Sequence, residues 1–122
     1  MSKETLVIVD DDRPFVEAVS IFLEDHGYHT IQAFCGQEGL TQLLRNRVDL
    51  AIVDVHMFDL SGIDLAERLR RTGKDIPFIL ISSNDCPEAQ EQCREAGARS
   101  FLPKPLVPEG LLDAIFEILS CS

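Results

Sequence analysis

Four places in this chain carry side chains that could do chemistry together. The acids Asp10-Asp11-Asp12 follow one apolar stretch, Asp54 follows another, and Ser82 and Lys104 stand after two more. Carboxylates brought close together repel one another at neutral pH unless protons or a cation neutralise them. A hard dication such as Mg²⁺ suits the task, because it takes oxygen ligands from one or two carboxylates and keeps waters and room for a phosphate. A carboxylate in such a site can serve as a nucleophile toward a phosphoryl group, giving an aspartyl phosphate. The transferring group carries several negative oxygens, so a metal, an ammonium and a hydroxyl aimed at them are what the reaction needs. Lys104 and Ser82 are of the right types.

The elements that must position these residues are legible in the hydrophobic pattern. Asp49-Leu50-Ala51-Ile52-Val53-Asp54 is a short apolar run bounded by polar residues, which suits a strand buried on both faces of a parallel sheet. Asp54 then stands at the carboxyl end, the edge where open α/β sheets bind ligands. Thr5 to Val9 reads as a second such strand, with Asp10 and Asp11 at its carboxyl end and Asp12 as a helix cap. Pro14 fits the first turn of a helix carrying Phe15, Val16, Val19, Phe22 and Leu23, which Gly27 stops.

Further along, His29 to Phe34 is a strand, and Gly36 begins a helical pattern with Leu40, Leu43 and Leu44. Ser61-Gly62 opens a helix closed by Gly73, Ile76 to Ile81 is the fourth strand, and Asn84 to Asp85 turns the chain into a helix from Pro87 to Gly97. That helix is polar throughout, which marks it as a loosely held element. Ser100 to Leu102 is a short last strand, Pro103-Lys104-Pro105 a rigid turn, and Pro108 opens a final helix before a tail at Ser120-Cys121-Ser122. Five strands alternating with five helices imply a parallel sheet covered on both faces, with right-handed crossovers. One edge then collects Asp10, Asp11, Asp54, Ser82 and Lys104.

Several motifs resemble the receiver domain of two-component response regulators: Val9-Asp10-Asp11-Asp12, Asp54-x-x-Met57 with Gly62 eight residues after Asp54, Ile81-Ser82-Ser83, and Gly97-Ala98-x-x-Phe101-Leu102-x-Lys104-Pro105. The resemblance runs through nearly the whole chain, and its pieces stand in order at compatible spacing. It implies a flavodoxin-like (βα)5 fold with strand order 2-1-3-4-5. It also implies that Asp54 is the phosphoacceptor, supplied by a phosphohistidine on a sensor kinase or histidine phosphotransfer protein. Asp11 would hold Mg²⁺ directly, Asp10 through water, and the backbone carbonyl of His56 would be a further ligand. Lys104 and Ser82 would contact the phosphoryl oxygens, and Phe101 matches an aromatic switch position. The face made by the fourth helix, last strand and last helix would recruit an output partner or a second copy. Where the family commonly has Met-Pro, this chain has Met57-Phe58, which removes a rigid turn and exposes a ring; His56 and Asn84 stand where the family tunes dephosphorylation.

Taken singly, each residue has a plainer reading: the acids as a solvated turn, Ser82 as a strand-end hydroxyl, Lys104 as an exposed turn lysine, Phe101 as core. Two other functions use related features. A pseudo-receiver is a docking module without phosphorylation, and a haloacid-dehalogenase-type hydrolase forms an aspartyl phosphate from an Asp-x-Asp motif on its first strand.

Composition limits the classes further. The 122 residues make one domain, residues 1–122, with 45% apolar and 26% charged side chains. A net charge of -10 argues against direct nucleic-acid binding. No apolar run is long enough for a membrane span, and nothing after Met1-Ser2-Lys3-Glu4 resembles a secretory signal, so a cytoplasmic protein that is a switch and no turnover enzyme is expected. Cys35, Cys86, Cys93 and Cys121 lack metal-site or disulfide spacing and read as reduced thiols.

Overall fold

The computed structural model describes residues 3–84 and 86–120. The elements in order are β1 (Thr5–Val9), α1 (Arg13–Asp25), β2 (His29–Ala33), α2 (Gly36–Arg45), β3 (Leu50–Asp54), α3 (Gly62–Arg71), β4 (Phe78–Ser82), α4 (Pro87–Glu95), β5 (Ser100–Pro103) and α5 (Pro108–Ser120). All strand pairs are parallel, and the sheet order is β2-β1-β3-β4-β5. The expectations that fell on Met1, Ser2, Asp85, Cys121 and Ser122 lie outside the described residues.

The central strands are apolar without interruption because both of their faces are covered. Alternate residues go to opposite sides. Val7, Val9, Ala51, Val53, Phe78 and Leu80 form one core with Leu43 of α2, Leu65 and Leu69 of α3 and Cys93 of α4. Leu6, Ile8, Leu50, Ile52, Ile79 and Ile81 form the other with Val16 and Leu23 of α1 and Leu111 and Ile115 of α5. Each fully buried side chain of this size contributes roughly 1.5–3 kcal/mol against leaving it in water. In α4 only Cys93 is buried, as its polar sequence implies.

Some boundaries differ from the sequence pattern. β4 begins at Phe78 instead of Ile76, since Pro77 has no N–H to give a ladder; its carbonyl still accepts from Ala51 N–H at 3.0 Å. β2 ends one residue early, at Ala33, and the peptide before Phe34 turns so that its N–H donates to Glu38 at 2.9 Å. β5 continues through Pro103, which stands opposite Ser82, and the Lys104–Pro105 peptide is cis. Asp12 caps α1 by accepting from Phe15 N–H at 3.3 Å, and Ser61 caps α3 by accepting from Asp64 N–H at 3.0 Å. Cys35, Cys86 and Cys93 are free thiols; Cys93 is core, while Cys35 and Cys86 are half-buried residues preceding α2 and α4.

The chain enters the sheet at the edge opposite the acids, and α5 returns to that same edge. Glu117 and Ile118 near its end share a small cleft with Arg99 and Ser100 at the start of β5.

Candidate phosphoacceptor site

The carboxyl ends of β1, β3, β4 and β5 bring the sequence-distant residues to one rim. The register aligns Val9 with Val53, Asp54 with Ile81, and Ser82 with Pro103, so each strand delivers its polar residue at nearly the same height. Asp10 is fully buried, Asp54 is 5% exposed and Ser82 1%, whereas Asp11 is open to solvent. Oxygens of Asp10, Asp11 and Asp54 all lie within 4.8 Å of one another.

Electrostatics at this rim are under strain from like charge. The Asp54 carboxyl is pushed up from 3.8 to about 6, first by burial and then by the charge of Asp10, with Asp11 adding to it. Lys104 and the backbone N–H of His56 act in the opposite direction and do not cancel the rise. Two largely buried acids and a third at the mouth, one of them holding its proton to about pH 6, suit a hard dication that keeps part of its water shell. Asp10, Asp11 and Asp54 therefore fit Mg²⁺ as carboxylate ligands.

Lys104 supplies the one ammonium at this edge among the described residues. Its Nζ donates to Asp10 Oδ2 at 2.8 Å, stands 3.8 Å from Asp54 Oδ2, and lies 4.6 Å above the Phe15 ring. Burial works against the ammonium, but the hydrogen bond to Asp10 and the charges of Asp54 and Asp10 outweigh it and hold its pKa above the ordinary value. β5 holds the approach to the lysine, because Lys104 N–H donates to Ser82 O at 2.9 Å. Ser82 Oγ accepts from Asn84 N–H at 2.9 Å, so the hydroxyl proton is left to point elsewhere. Asp10 Oδ1 accepts from Asp12 N–H at 3.0 Å.

Gly62 is required where it is. A Cβ there would lie 2.5 Å from the carbonyl oxygen of Asp54, and its own N–H donates to Val55 O at 3.0 Å. Phe58, at the position of the missing proline, is 80% exposed. Phe101 is half-buried away from this rim; it packs on the core under α2, α3 and α4 and lines a groove of about 340 Å³ with Pro87, Glu91 and Arg94 of α4. His56 is exposed on the loop after β3.

Two participants carried no sequence signal. Phe15 followed the helix-core pattern, yet its ring also lies under the lysine. Asp59 was one more loop acid, but its carboxylate accepts from Gly36 N–H at 2.8 Å and Gln37 N–H at 2.9 Å.

Known proteins match this geometry along almost the entire chain. The family model described as response regulator receiver domain matches residues 6–116. Response regulator MprA of Mycobacterium sp. (strain KMS) is 36% identical over 114 residues, 93% of this chain and 50% of that protein, and MprA of Mycobacterium leprae (strain TN) is 35% identical over the same span. The chain spans about half the length of these curated relatives. Among solved structures, the CheY-like response regulator receiver domain protein of Methanospirillum hungatei JF-1 has a TM-score of 0.91 at 28% identity, covering 98% of this chain and 95% of that one. Chemotaxis response regulator CheY4 of Vibrio cholerae has a TM-score of 0.89 at 28% identity, covering 96% and 99%. Five parallel strands in the order 2-1-3-4-5, an acidic rim faced by a lysine, and a family match over residues 6–116 make this chain a member of the response regulator receiver domain family of two-component systems.

Proposed function

We propose that residues 1–122 form a single phosphoacceptor switch in which Asp54 takes a phosphoryl group from a phosphohistidine of a sensor kinase or histidine phosphotransfer protein. The observation that carries this reading is the convergence of Asp10, Asp11, Asp54 and Lys104, with Lys104 Nζ between Asp10 and Asp54 at 2.8 and 3.8 Å. An Asp54 carboxylate oxygen attacks phosphorus; the new P–O bond forms as the donor's P–N bond breaks, and that electron pair returns to the imidazole nitrogen. Asp11 would hold Mg²⁺, with Asp10 assisting, and Asp54 and the His56 carbonyl would complete the protein's share of ligands. When bound, the metal supplies positive charge to oxygens that Lys104 and Ser82 also contact.

Ser82 draws its loop toward the phosphoryl group, Phe101 turns inward, and the α4-β5-α5 face changes its affinity for an output domain, an output protein or a second copy. The groove between α4 and β5 beside Phe101 supports that choice of face. The domain assists its own phosphorylation and dephosphorylation and turns over no separate substrate. No helix among the described residues is long and apolar enough to cross a membrane, and the net charge is -10. A cytoplasmic domain without direct nucleic-acid contact is the reading in keeping with both.

Incubating the protein with a small phosphodonor and Mg²⁺ should attach one base-labile, hydroxylamine-sensitive phosphoryl group, and Asp54→Asn should abolish it. Label that persists on Asp54→Asn refutes the assignment. Failure of the wild type to label would favour the docking-module alternative. Family membership, with the central acid on β3 instead of β1, leaves the dehalogenase-type alternative without support.

A further inference from the structure

We propose that Asp59 is a positioning residue for the loop after β3, fastening it to α2 so that the His56 backbone keeps its direction toward Asp54 and the metal. This rests on the phosphoacceptor reading above. The two oxygens of Asp59 accept separately from the first two amides of α2, Gly36 N–H at 2.8 Å and Gln37 N–H at 2.9 Å, 23 and 22 residues away. Although burial pushes the Asp59 carboxyl upward, those amides hold it below the usual carboxylate value, so it stays charged against the positive end of the helix.

The anchor is itself closely packed. A Cβ on Gly39 of α2 would meet the Val9 side chain at 2.7 Å, and one on Gly36 would meet Leu60 Cβ at 2.6 Å. Helix α2 is thus pressed against β1 one residue before Asp10 and against the loop at Leu60. Asp59 therefore ties the segment that follows Asp54 to the strand that presents Asp10.

Beside Asp59, only the packing of Met57 on the core holds the middle of that loop among the described contacts. His56 and Phe58 are exposed, and Phe58 has no ring closure on its backbone. Leu60 packs in the core and Gly62 N–H closes the segment on Val55 O, next to His56, but neither makes a hydrogen bond to α2. The His56 N–H faces the Asp54 carboxylate closely enough to favour its charged form, so a loop that drifts changes the surroundings of the acceptor. Loss of the Asp59 clamp leaves every ligand-bearing residue in the chain and loosens their mutual placement.

The test uses the full chain, ¹⁵N-labelled, as wild type, Asp59→Ala and Asp59→Asn. Calorimetry with Mg²⁺ alone gives the metal Kd, amide spectra follow Gly36, Gln37 and His56, and labelling by the phosphodonor is read at saturating Mg²⁺. Asp59→Ala should raise the Mg²⁺ Kd roughly tenfold, the low end for an outer-sphere partner. It should also shift the His56 amide resonance. Asp59→Asn should fall between, since its single carbonyl oxygen can accept from one amide. If both variants lower Tm while the Mg²⁺ Kd and the His56 resonance stay at wild-type values, Asp59 is only a helix cap and the proposal is overturned. Should Asp59→Ala not fold, Asp59→Asn decides by the same two readouts. A wild type that binds Mg²⁺ but never labels would sink the Asp54 assignment instead, and the Mg²⁺ Kd would still judge Asp59.

Discussion

Lys104 is bonded to Asp10, not to Asp54: its Nζ is 2.8 Å from the first, 94 residues away in the chain, and 3.8 Å from the second. The lysine of the rim therefore rests on an acid assigned to the metal, within one short movement of the acceptor. A phosphoryl group on Asp54 would bring its oxygens into that remaining gap.

Lys104→Met should consequently act twice. It leaves the fully buried Asp10 charge without its cation, which should cost roughly 1–3 kcal/mol of stability, less than for a wholly buried pair because Lys104 is partly open. Labelling should fall by at least about tenfold through lost charge on the phosphoryl oxygens. Mg²⁺ should restore part of the stability and not the labelling. Urea titrations with and without Mg²⁺ read the first effect, and a variant as fast as wild type would remove Lys104 from the chemistry.

Asp54 should make the metal-free protein less stable as pH rises. Its folded carboxyl is pushed up from 3.8 to about 6, so between those values the folded state holds a proton that the unfolded chain has lost. Stability associated with this group is complete below about pH 4 and is lost as pH rises through about 6. The advantage of Asp54→Asn over wild type should then grow from near zero at pH 4 to on the order of 2–3 kcal/mol at pH 7 in chelator. Parallel pH profiles for the two proteins would contradict this.

Magnesium should stabilise by binding the folded rim and not the unfolded chain. Free Mg²⁺ at a hundred times its Kd adds about 2.7 kcal/mol. Asp11→Asn should require more Mg²⁺ for the same rise in Tm, and acidification below about 6, where Asp54 gains its proton, should weaken the effect. A Tm response in Asp11→Asn equal to that of wild type would take Asp11 out of the ligand set.

Gly62→Ala should be disproportionately costly for one methyl group. The new carbon would lie 2.5 Å from the Asp54 carbonyl oxygen, a backbone atom that cannot rotate away. Overpacking of this kind costs roughly 1–3 kcal/mol. Because the displaced peptide belongs to the acceptor, labelling should slow even at temperatures where the variant is folded.

Much of this was open to reading from the residue order. Strands buried on both faces are continuous apolar runs, so Leu6–Val9, Leu50–Val53 and Phe78–Ile81 announce themselves, and an acid or hydroxyl ending each run marks the rim. Alternation of strand and helix then forces the rim residues together. Pairings between loops leave no such trace. Asp59 meets Gly36 across 23 residues without periodicity or motif, and the preference of Lys104 for Asp10 over Asp54 is a matter of ångströms that spacing does not encode. The start of β4 was misjudged because Ile76 is buried like a strand residue, although Pro77 keeps it out of the ladder.

Both described chain ends leave from the pole opposite the acids, with the close of α5 beside the entrance to β5. Anything covalently joined to either end starts a full strand length from the place where phosphorus would arrive. A small reporter fused directly at either terminus should therefore leave access for the donor undisturbed.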